Sequence, residues 1–286
     1  EPTHSTRQWD VQHGRLTIGK ASARVFTSTG APGQGSYRVG MAKTPAVLDK
    51  LGDADLGADP HAQGKIFMEI GPLGIVNWHG GGLLTNQQND TAVITNAGIF
   101  NYFDDAGSNI FHFGGPALIN AEGGRFHWHG AASLDLRNSR TEGSSSLRNA
   151  GLLTTGHDGQ VTLLGDLVLE KSGTLRVGLG AQSKTGILAG GKEGGAVTLA
   201  GRLEIAPLPD AKIGGRTFTI LTRAAGCPPI SGRFASQSDD IASIDYSEDA
   251  VTITIVEQPK ARPAADPDAA TELAKFSAPQ ELDVAG

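Results

Sequence analysis

The amino-acid sequence predicts an all-β fold: a parallel β-helix, or solenoid, built from three-strand rungs of about 25 residues. Three observations carry that expectation. Apolar residues recur at period two over short runs, with almost no 3.6-residue period. Glycine is abundant, 40 of 286 residues, without the every-third-residue spacing of collagen. Two unrelated marker motifs recur along the chain with the same spacing.

The markers come first because they set the period. Asn96-Ala97-Gly98-Ile99-Phe100 recurs as Asn149-Ala150-Gly151-Leu152-Leu153, with the variant Asn120-Ala121-Glu122-Gly123-Gly124-Arg125-Phe126 between them. The asparagines are 24 and 29 residues apart. Asn77-Trp78-His79-Gly80 recurs as His127-Trp128-His129-Gly130, with Asn101-Tyr102-Phe103-Asp104 between, so the aromatic positions are 24 and 26 residues apart. Such a period with three short strands per turn describes a coil whose successive turns pair in parallel, about 4.8 Å apart. Trp78, Tyr102 and Trp128 are then expected to form an interior aromatic ladder. The Asn-X-Gly positions are expected to form a corner ladder, since Asn and Gly tolerate the left-handed conformation of a sharp turn.

The strands follow in chain order. Trp9-Asp10-Val11, Arg15-Leu16-Thr17-Ile18 and Tyr37-Arg38-Val39 read as strands at the N-terminal end. Residues 43–65 fit the coil least. Ala46 to Leu51 is helix-like, and the Asp-rich Leu51 to Gly64 reads as a loop leaving the coil. Val161-Thr162-Leu163, Leu167-Val168-Leu169 and Leu175-Arg176-Val177 are strands bounded by Gly165, Gly173, Gly178 and Gly180. Val251-Thr252-Ile253-Thr254-Ile255 alternates cleanly. The expected organisation is an N-terminal extension over 1–7, the coil over 8–256 and a Pro/Ala-rich acidic tail over 257–286, with Ala269 to Phe276 as its helix-like stretch. Roughly ten rungs would make a rod on the order of 48 Å long.

Composition narrows the function. A net charge of -6 with no basic block argues against nucleic acid as a partner. No apolar run approaches the length of a membrane-spanning helix. The single cysteine, Cys227, precludes a disulfide framework within the chain. The chain opens Glu1-Pro2 and reads as a mature product after cleavage or as a trimmed chain, with export the favoured expectation.

Residues 160–235 carry a resemblance. Val197-Thr198-Leu199-Ala200-Gly201-Arg202-Leu203-Glu204-Ile205, Gly214-Gly215-Arg216-Thr217-Phe218-Thr219-Ile220-Leu221-Thr222 and Ser231-Gly232-Arg233-Phe234 resemble the end of autotransporter-type passenger domains and related repetitive bacterial surface proteins. The upstream Asn-X-Gly repeats look like the same group. The resemblance implies a right-handed parallel β-helix, export to the bacterial surface and a role as adhesin or stalk. That family continues into a membrane-embedded β-barrel, whereas this sequence ends at Gly286, so the resemblance carries no secretion route.

Five constellations bear on chemistry. His127 and His129 alternate with Phe126 and Trp128 and so face outward, with His79 in register two rungs away. His-X-His on a strand can ligate zinc, but no further ligand stands at a suitable spacing, and two exposed histidines on a sheet face are the simpler reading. Polysaccharide cleavage needs paired carboxyls, for which Asp104, Asp105 and Asp135 are candidates, with Arg125 or Arg137 as the basic residue. Asp104-Asp105-Ala106-Gly107 reads more simply as a turn. Ser144-Ser145-Ser146 and Cys227, before Pro228-Pro229, carry no nucleophile signature. Gly190 to Gly195 lacks the spacing of a phosphate-binding loop. Asp53 to Asp59 does not repeat the calcium-binding nonapeptide and reads as solvated loop.

The expectation is therefore a non-enzymatic extracellular protein with no catalytic, cofactor or metal site: a spacer, adhesin, or filament or matrix subunit. Its partners would be itself, by end-to-end or strand-exchange assembly, or cell-surface carbohydrate. The rival expectation is a polysaccharide-binding or polysaccharide-cleaving β-helix.

Overall fold

The computed structural model describes residues 7–11, 14–18, 24–26, 35–41, 46–50, 55–57, 66–79, 83–84, 92–103, 116–130, 133–136, 145–156, 159–180, 184–189, 195–208 and 211–257. Every regular element among them is a strand. The strands form a parallel β-helix. Two of its sides are nine-stranded sheets, and the third is divided between a three-stranded and a six-stranded sheet. Nine strands deep, against the ten anticipated, the stack is about 38 Å long at about 4.8 Å per step.

The first sheet runs from Arg7–Val11 through Gly35–Val39, Ile66–Ile70, Ala92–Asn96, Pro116–Asn120, Ser146–Asn149, Asp166–Leu169 and Val197–Leu199 to Ser231–Gly232. The second runs from Gly14–Ile18 through Ala46–Lys50, Gly74–Trp78, Ile99–Tyr102, Arg125–Trp128, Leu152–Thr155, Thr174–Leu179 and Arg202–Pro207 to Ser236–Gln237. The register joins the two marker series as their spacing requires. Asn96 pairs with Asn120, and Asn120 with Asn149. Tyr102 pairs with both Trp78 and Trp128. Along the first sheet successive rungs differ in length, from 20 residues between Asn149 and Leu169 to 33 between Thr198 and Ser231. Register still holds because the extra residues fall in the connections.

Alternation places one side chain in two inside. Met68, Ile94, Leu118, Leu147, Leu167 and Val197 form one buried column of the first sheet. In the second, Val76, Phe100, Phe126, Leu153, Leu175 and Leu203 form a buried column beside Trp78, Tyr102 and Trp128. The Phe100 and Phe126 rings stack with centroids 5.3 Å apart, and Tyr102 meets Trp128 edge-on at 6.1 Å. The Tyr102 hydroxyl donates to the Ser133 carbonyl at 2.7 Å, which gives this buried phenol a partner across the core.

Between Ile70 and Leu169 the inward corner column of the first sheet changes from aliphatic to Asn96, Asn120 and Asn149, all fully buried. Each amide donates to the next rung: Asn96 Nδ2 to Asn120 Oδ1 at 2.7 Å, and Asn120 Nδ2 to Asn149 Oδ1 at 2.6 Å. The same amides donate to the carbonyls of Arg125, Leu152 and Thr174, just past the corner. The ladder therefore adds side-chain donors to backbone carbonyls at the corner between the two sheets.

The glycine of each motif has a different reason from the one anticipated. Gly98, Gly124 and Gly151 are not among the positive-φ glycines, whereas Gly123 has φ 83°. A Cβ at Gly124 would land on the Asn96 carbonyl oxygen, and one at Gly151 on the carbonyls of Gly124 and Ala121. Close approach of consecutive rungs, not left-handed backbone, excludes a side chain there. Gly124→Ala is accordingly expected to cost about 3 kcal/mol by forcing the rungs apart. Gly123→Ala, facing open space, should cost only the left-handed penalty of about 1–2 kcal/mol. Thermal denaturation of the two variants checks the order.

Three further elements correct the sequence reading. Ala46–Lys50 is a strand, not helix-like: its neighbours Gly14–Ile18 and Gly74–Trp78 pair with it on both sides, and that pairing overrides the helix preference of Ala, Leu and Lys. The expected loop Leu51 to Gly64 contains the strand Asp55–Gly57, which pairs with Arg24–Phe26 and Leu83–Leu84 on the third side. The parallel coil does not continue to residue 256. Ile241–Tyr246 and Ala250–Ile255 form an antiparallel hairpin, and Ala250–Ile255 pairs antiparallel with Thr217–Arg223. Val251, Ile253 and Ile255 carry the core into that hairpin. Ala269 to Phe276 lies outside the described residues.

Candidate functional site

The outward faces of the sheets hold the groups with chemistry. On the second sheet the position after the aromatic ladder carries His79, Phe103 and His129. Phe103 lies between the two imidazoles, 4.4 Å from His79 and 4.3 Å from His129 by ring centroids, with interplanar angles of 5° and 10°. The histidines thus face outward as expected, but a phenyl ring occupies the rung between them. His127 is 6.3 Å from His129 by ring centroids. Among the described residues no three His, Cys, Asp or Glu side chains gather as a metal site. Beside this stack, Asn101 Nδ2 donates to Asn77 Oδ1 at 2.8 Å, a second asparagine pair that bridges rungs, both of its residues buried.

Charged side chains follow the same rule. Arg38 Nε meets Glu69 at 2.6 Å, Arg148 meets Glu170 at 2.8 Å, and Arg176 meets Glu204 at 2.9 Å, each pair joining neighbouring rungs. Arg202 adds a second guanidinium to Glu204 at 3.0 Å. The more exposed pairs contribute little each, about 0–1 kcal/mol. Glu204 is the more sheltered acid, its side chain 17% exposed. Burial raises its pKa, but the guanidiniums of Arg176 and Arg202 outweigh burial and hold the carboxyl below its usual range. A depressed carboxyl contributes stability above its unfolded value of 4.5, and that contribution is lost as pH falls through the folded value. Glu204→Gln should therefore cost about 1 kcal/mol at neutral pH and flatten the fall of Tm in acid, as calorimetry from pH 7 to pH 2 would show.

The carboxylate constellation is not assembled among the described residues. Asp104, Asp105 and Arg137 lie outside them. Asp135 ends the strand Ser133–Asp135 on the third side, while Arg125 begins a strand of the second sheet. Cys227 is buried, and its N–H donates to the Ala224 carbonyl at 3.2 Å, closing a turn. Ser145 and Ser146 enter a strand of the first sheet, with Ser145 buried at 1% exposure. Ser144, residues 190–194 and most of Asp53 to Asp59 fall outside the described residues, apart from the strand Asp55–Gly57. No helix of the described chain is long and apolar enough to cross a membrane.

The surface Arg–Glu pairs and the buried Asn77–Asn101 pair are the features that single-motif reading misses. Their signal is the rung period itself: Arg176 and Glu204 are 28 residues apart and Asn77 and Asn101 are 24 apart. No protein-family model matches the chain, and no curated protein matches its sequence.

Proposed function

We propose that the chain is a non-enzymatic extracellular structural or adhesive protein of the autotransporter-passenger type, displayed at a bacterial surface as a spacer, adhesin, or filament or matrix subunit. The observation that carries this reading is the use of outward side chains. Arg38–Glu69, Arg148–Glu170, Arg176–Glu204, Asn77–Asn101 and the His79–Phe103–His129 stack all bridge neighbouring rungs. Groups spent on holding a stack together favour a rod over a reaction site, and they leave its faces free to present contact surface.

The rival, polysaccharide cleavage, requires two carboxyls about 5–9.5 Å apart in one groove. Incubation of the purified chain with a panel of bacterial and host polysaccharides, and with intact cells, separates the two. The proposal expects saturable binding to cells or to one glycan, with no new reducing ends or unsaturated products. Turnover that disappears in Asp135→Asn or Arg125→Ala would replace it with the enzymatic reading. Antibody labelling of intact producing cells tests the surface location, and signal only after lysis would count against it.

A further inference from the structure

Alternation along the second sheet turns Asn77, Asn101, His127 and Thr154 to the side away from the aromatic ladder, and the register stacks them as one column over four consecutive rungs. Exposure along that column is uneven. His127 and Thr154 are half-buried, whereas Asn77 is 5% exposed and Asn101 only 1%. The Asn101 amide is held in one orientation, because its Nδ2 donates to Asn77 Oδ1 at 2.8 Å, on the rung before. Its Oδ1 is thereby turned toward the rung after, that of His127. This oxygen is buried and has no hydrogen-bond partner among the described residues. On the other side of His127, the buried Thr154 hydroxyl has none among them either. A buried oxygen without a donor is unfavourable, and here two of them flank one imidazole.

His129 lies beside this column, two residues beyond His127 and on the same side of the sheet. The two ring centroids are 6.3 Å apart, with 42° between the planes. At a Zn–N distance of about 2.0–2.1 Å, two imidazoles on one ion keep their centroids within about 6.4 Å. His127 and His129 therefore stand at the wide end of a shared coordination sphere, and a small rotation of either ring brings them fully into it. Stacking on Phe103 at 4.3 Å holds the face of the His129 ring, while a metal bond uses a lone pair in the ring plane, so the two are compatible. Asn101 brings its amide oxygen from the neighbouring rung, about 4.8 Å along the stack.

We infer that His127, His129 and Asn101 form a binding site for a divalent transition-metal ion, zinc by preference, with Thr154 at its border. The donor set decides the class of ion. Two imidazole nitrogens with one amide oxygen suit zinc, copper or nickel, whereas calcium and magnesium take shells made of oxygen. The third ligand is an amide and not an acid or a thiol, so no His, Cys, Asp or Glu triplet marks the site among the described residues. Register alone brings Asn101 to His127 across 26 residues of sequence. A bound ion satisfies the Asn101 oxygen, ties its rung to that of His127, and keeps a coordination position for water. The inference goes beyond the structural and adhesive reading and does not rest on it.

The experiment uses the whole chain without a polyhistidine tag, stripped with a chelator and titrated with zinc chloride in a calorimeter. One ion should bind per chain and raise the melting temperature, and an excess of calcium or magnesium should not compete. His127→Ala and His129→Ala should each remove that binding while leaving the metal-free β-sheet circular dichroism unchanged. His79→Ala takes away the other imidazole of the Phe103 stack but no ligand, and should leave zinc binding as it was. Asn101→Asp replaces the amide oxygen with a carboxylate and should tighten binding by about tenfold. Copper-loaded wild-type protein should show two imidazole nitrogens by electron paramagnetic resonance. No saturable zinc binding at tens of micromolar, binding that survives His127→Ala, or equal losses in His79→Ala and His127→Ala would each overturn the inference. A copper spectrum with one nitrogen or none overturns it without recourse to any variant, so the test holds even where a substitution prevents folding.

Discussion

Asn120→Leu is expected to destabilise the protein by about 2–4 kcal/mol. Asn120 is the middle of the buried ladder, accepting from Asn96 and donating to Asn149 and to the Leu152 carbonyl. Leucine fits an inward column but leaves Asn149 Oδ1 and the Leu152 carbonyl without this donor, at about 1–3 kcal/mol for each buried group left unsatisfied. The apolar burial gained offsets part of that, about 1–2 kcal/mol. Asn96 still donates to the Arg125 carbonyl, so its loss is smaller. The specific signature is non-additivity. Asn120→Leu with Asn149→Leu removes both partners of one bond and should cost at least about 1 kcal/mol less than the sum of the single variants. Urea denaturation of the four proteins in the cycle measures it. Strict additivity would mean that the ladder is a row of independent caps and not a connected one.

Trp128→Ala is expected to cost about 3–5 kcal/mol, the range for emptying a large aromatic site in a packed core. Trp128 is 1% exposed and packs against Tyr102 and Phe126. The same residue makes a finer distinction. Its buried indole Nε1 has no hydrogen-bond partner among the described residues, a standing cost of about 1–3 kcal/mol. Trp128→Phe removes that orphan donor while keeping most of the ring contact, so it should be close to neutral. Thermal melts of Trp128→Ala and Trp128→Phe, with tryptophan fluorescence to follow Trp78 and Trp9, separate packing from polarity. A large loss in Trp128→Phe would show that the cavity term dominates.

The fold was legible where side-chain chemistry repeats at the rung spacing. Asn96, Asn120 and Asn149 must align to satisfy one another, and Trp78, Tyr102 and Trp128 must align to fill one column, so both series carry the period in residue identity. Ala46–Lys50 carried no such mark. Ala, Leu and Lys suit a helix locally, and only pairing on both edges makes the segment a strand. The C-terminal hairpin is not marked in the sequence for a related reason. Alternation in Val251–Ile255 marks a strand but is the same for parallel and antiparallel partners, and Thr217–Arg223 pairs both ways, parallel to Lys184–Ala189 and antiparallel to Ala250–Ile255. The Asn-X-Gly motif marks a corner in the sequence but not the reason for its glycine, because contact with the carbonyl of the preceding rung leaves no trace in a single sequence.

The surface was less legible than the core. The His79–Phe103–His129 stack was anticipated only as two histidines in one column, since an outward phenylalanine gives no signal of its own. The Arg–Glu pairs become visible only after the register is known, because their spacing varies with connection length, 31 residues for Arg38 and Glu69 against 22 for Arg148 and Glu170. A function carried by a stack is spread over many such pairs, and no single one of them forms a motif.

Excision of one rung tests the central claim most directly. Deleting Ala97 through Asn120 joins Asn96 to Ala121 and removes one strand from each long sheet, Ile99–Tyr102 and Pro116–Asn120. In a stack whose rungs contact only their neighbours, Asn96 then meets Asn149 and Trp78 meets Trp128, and every remaining column stays in register. The account expects a folded protein with unchanged β-sheet circular dichroism, a cooperative melt, and a rod shorter by about 4.8 Å in small-angle X-ray scattering. A chain that is unfolded, aggregated or unchanged in length after the excision would contradict it.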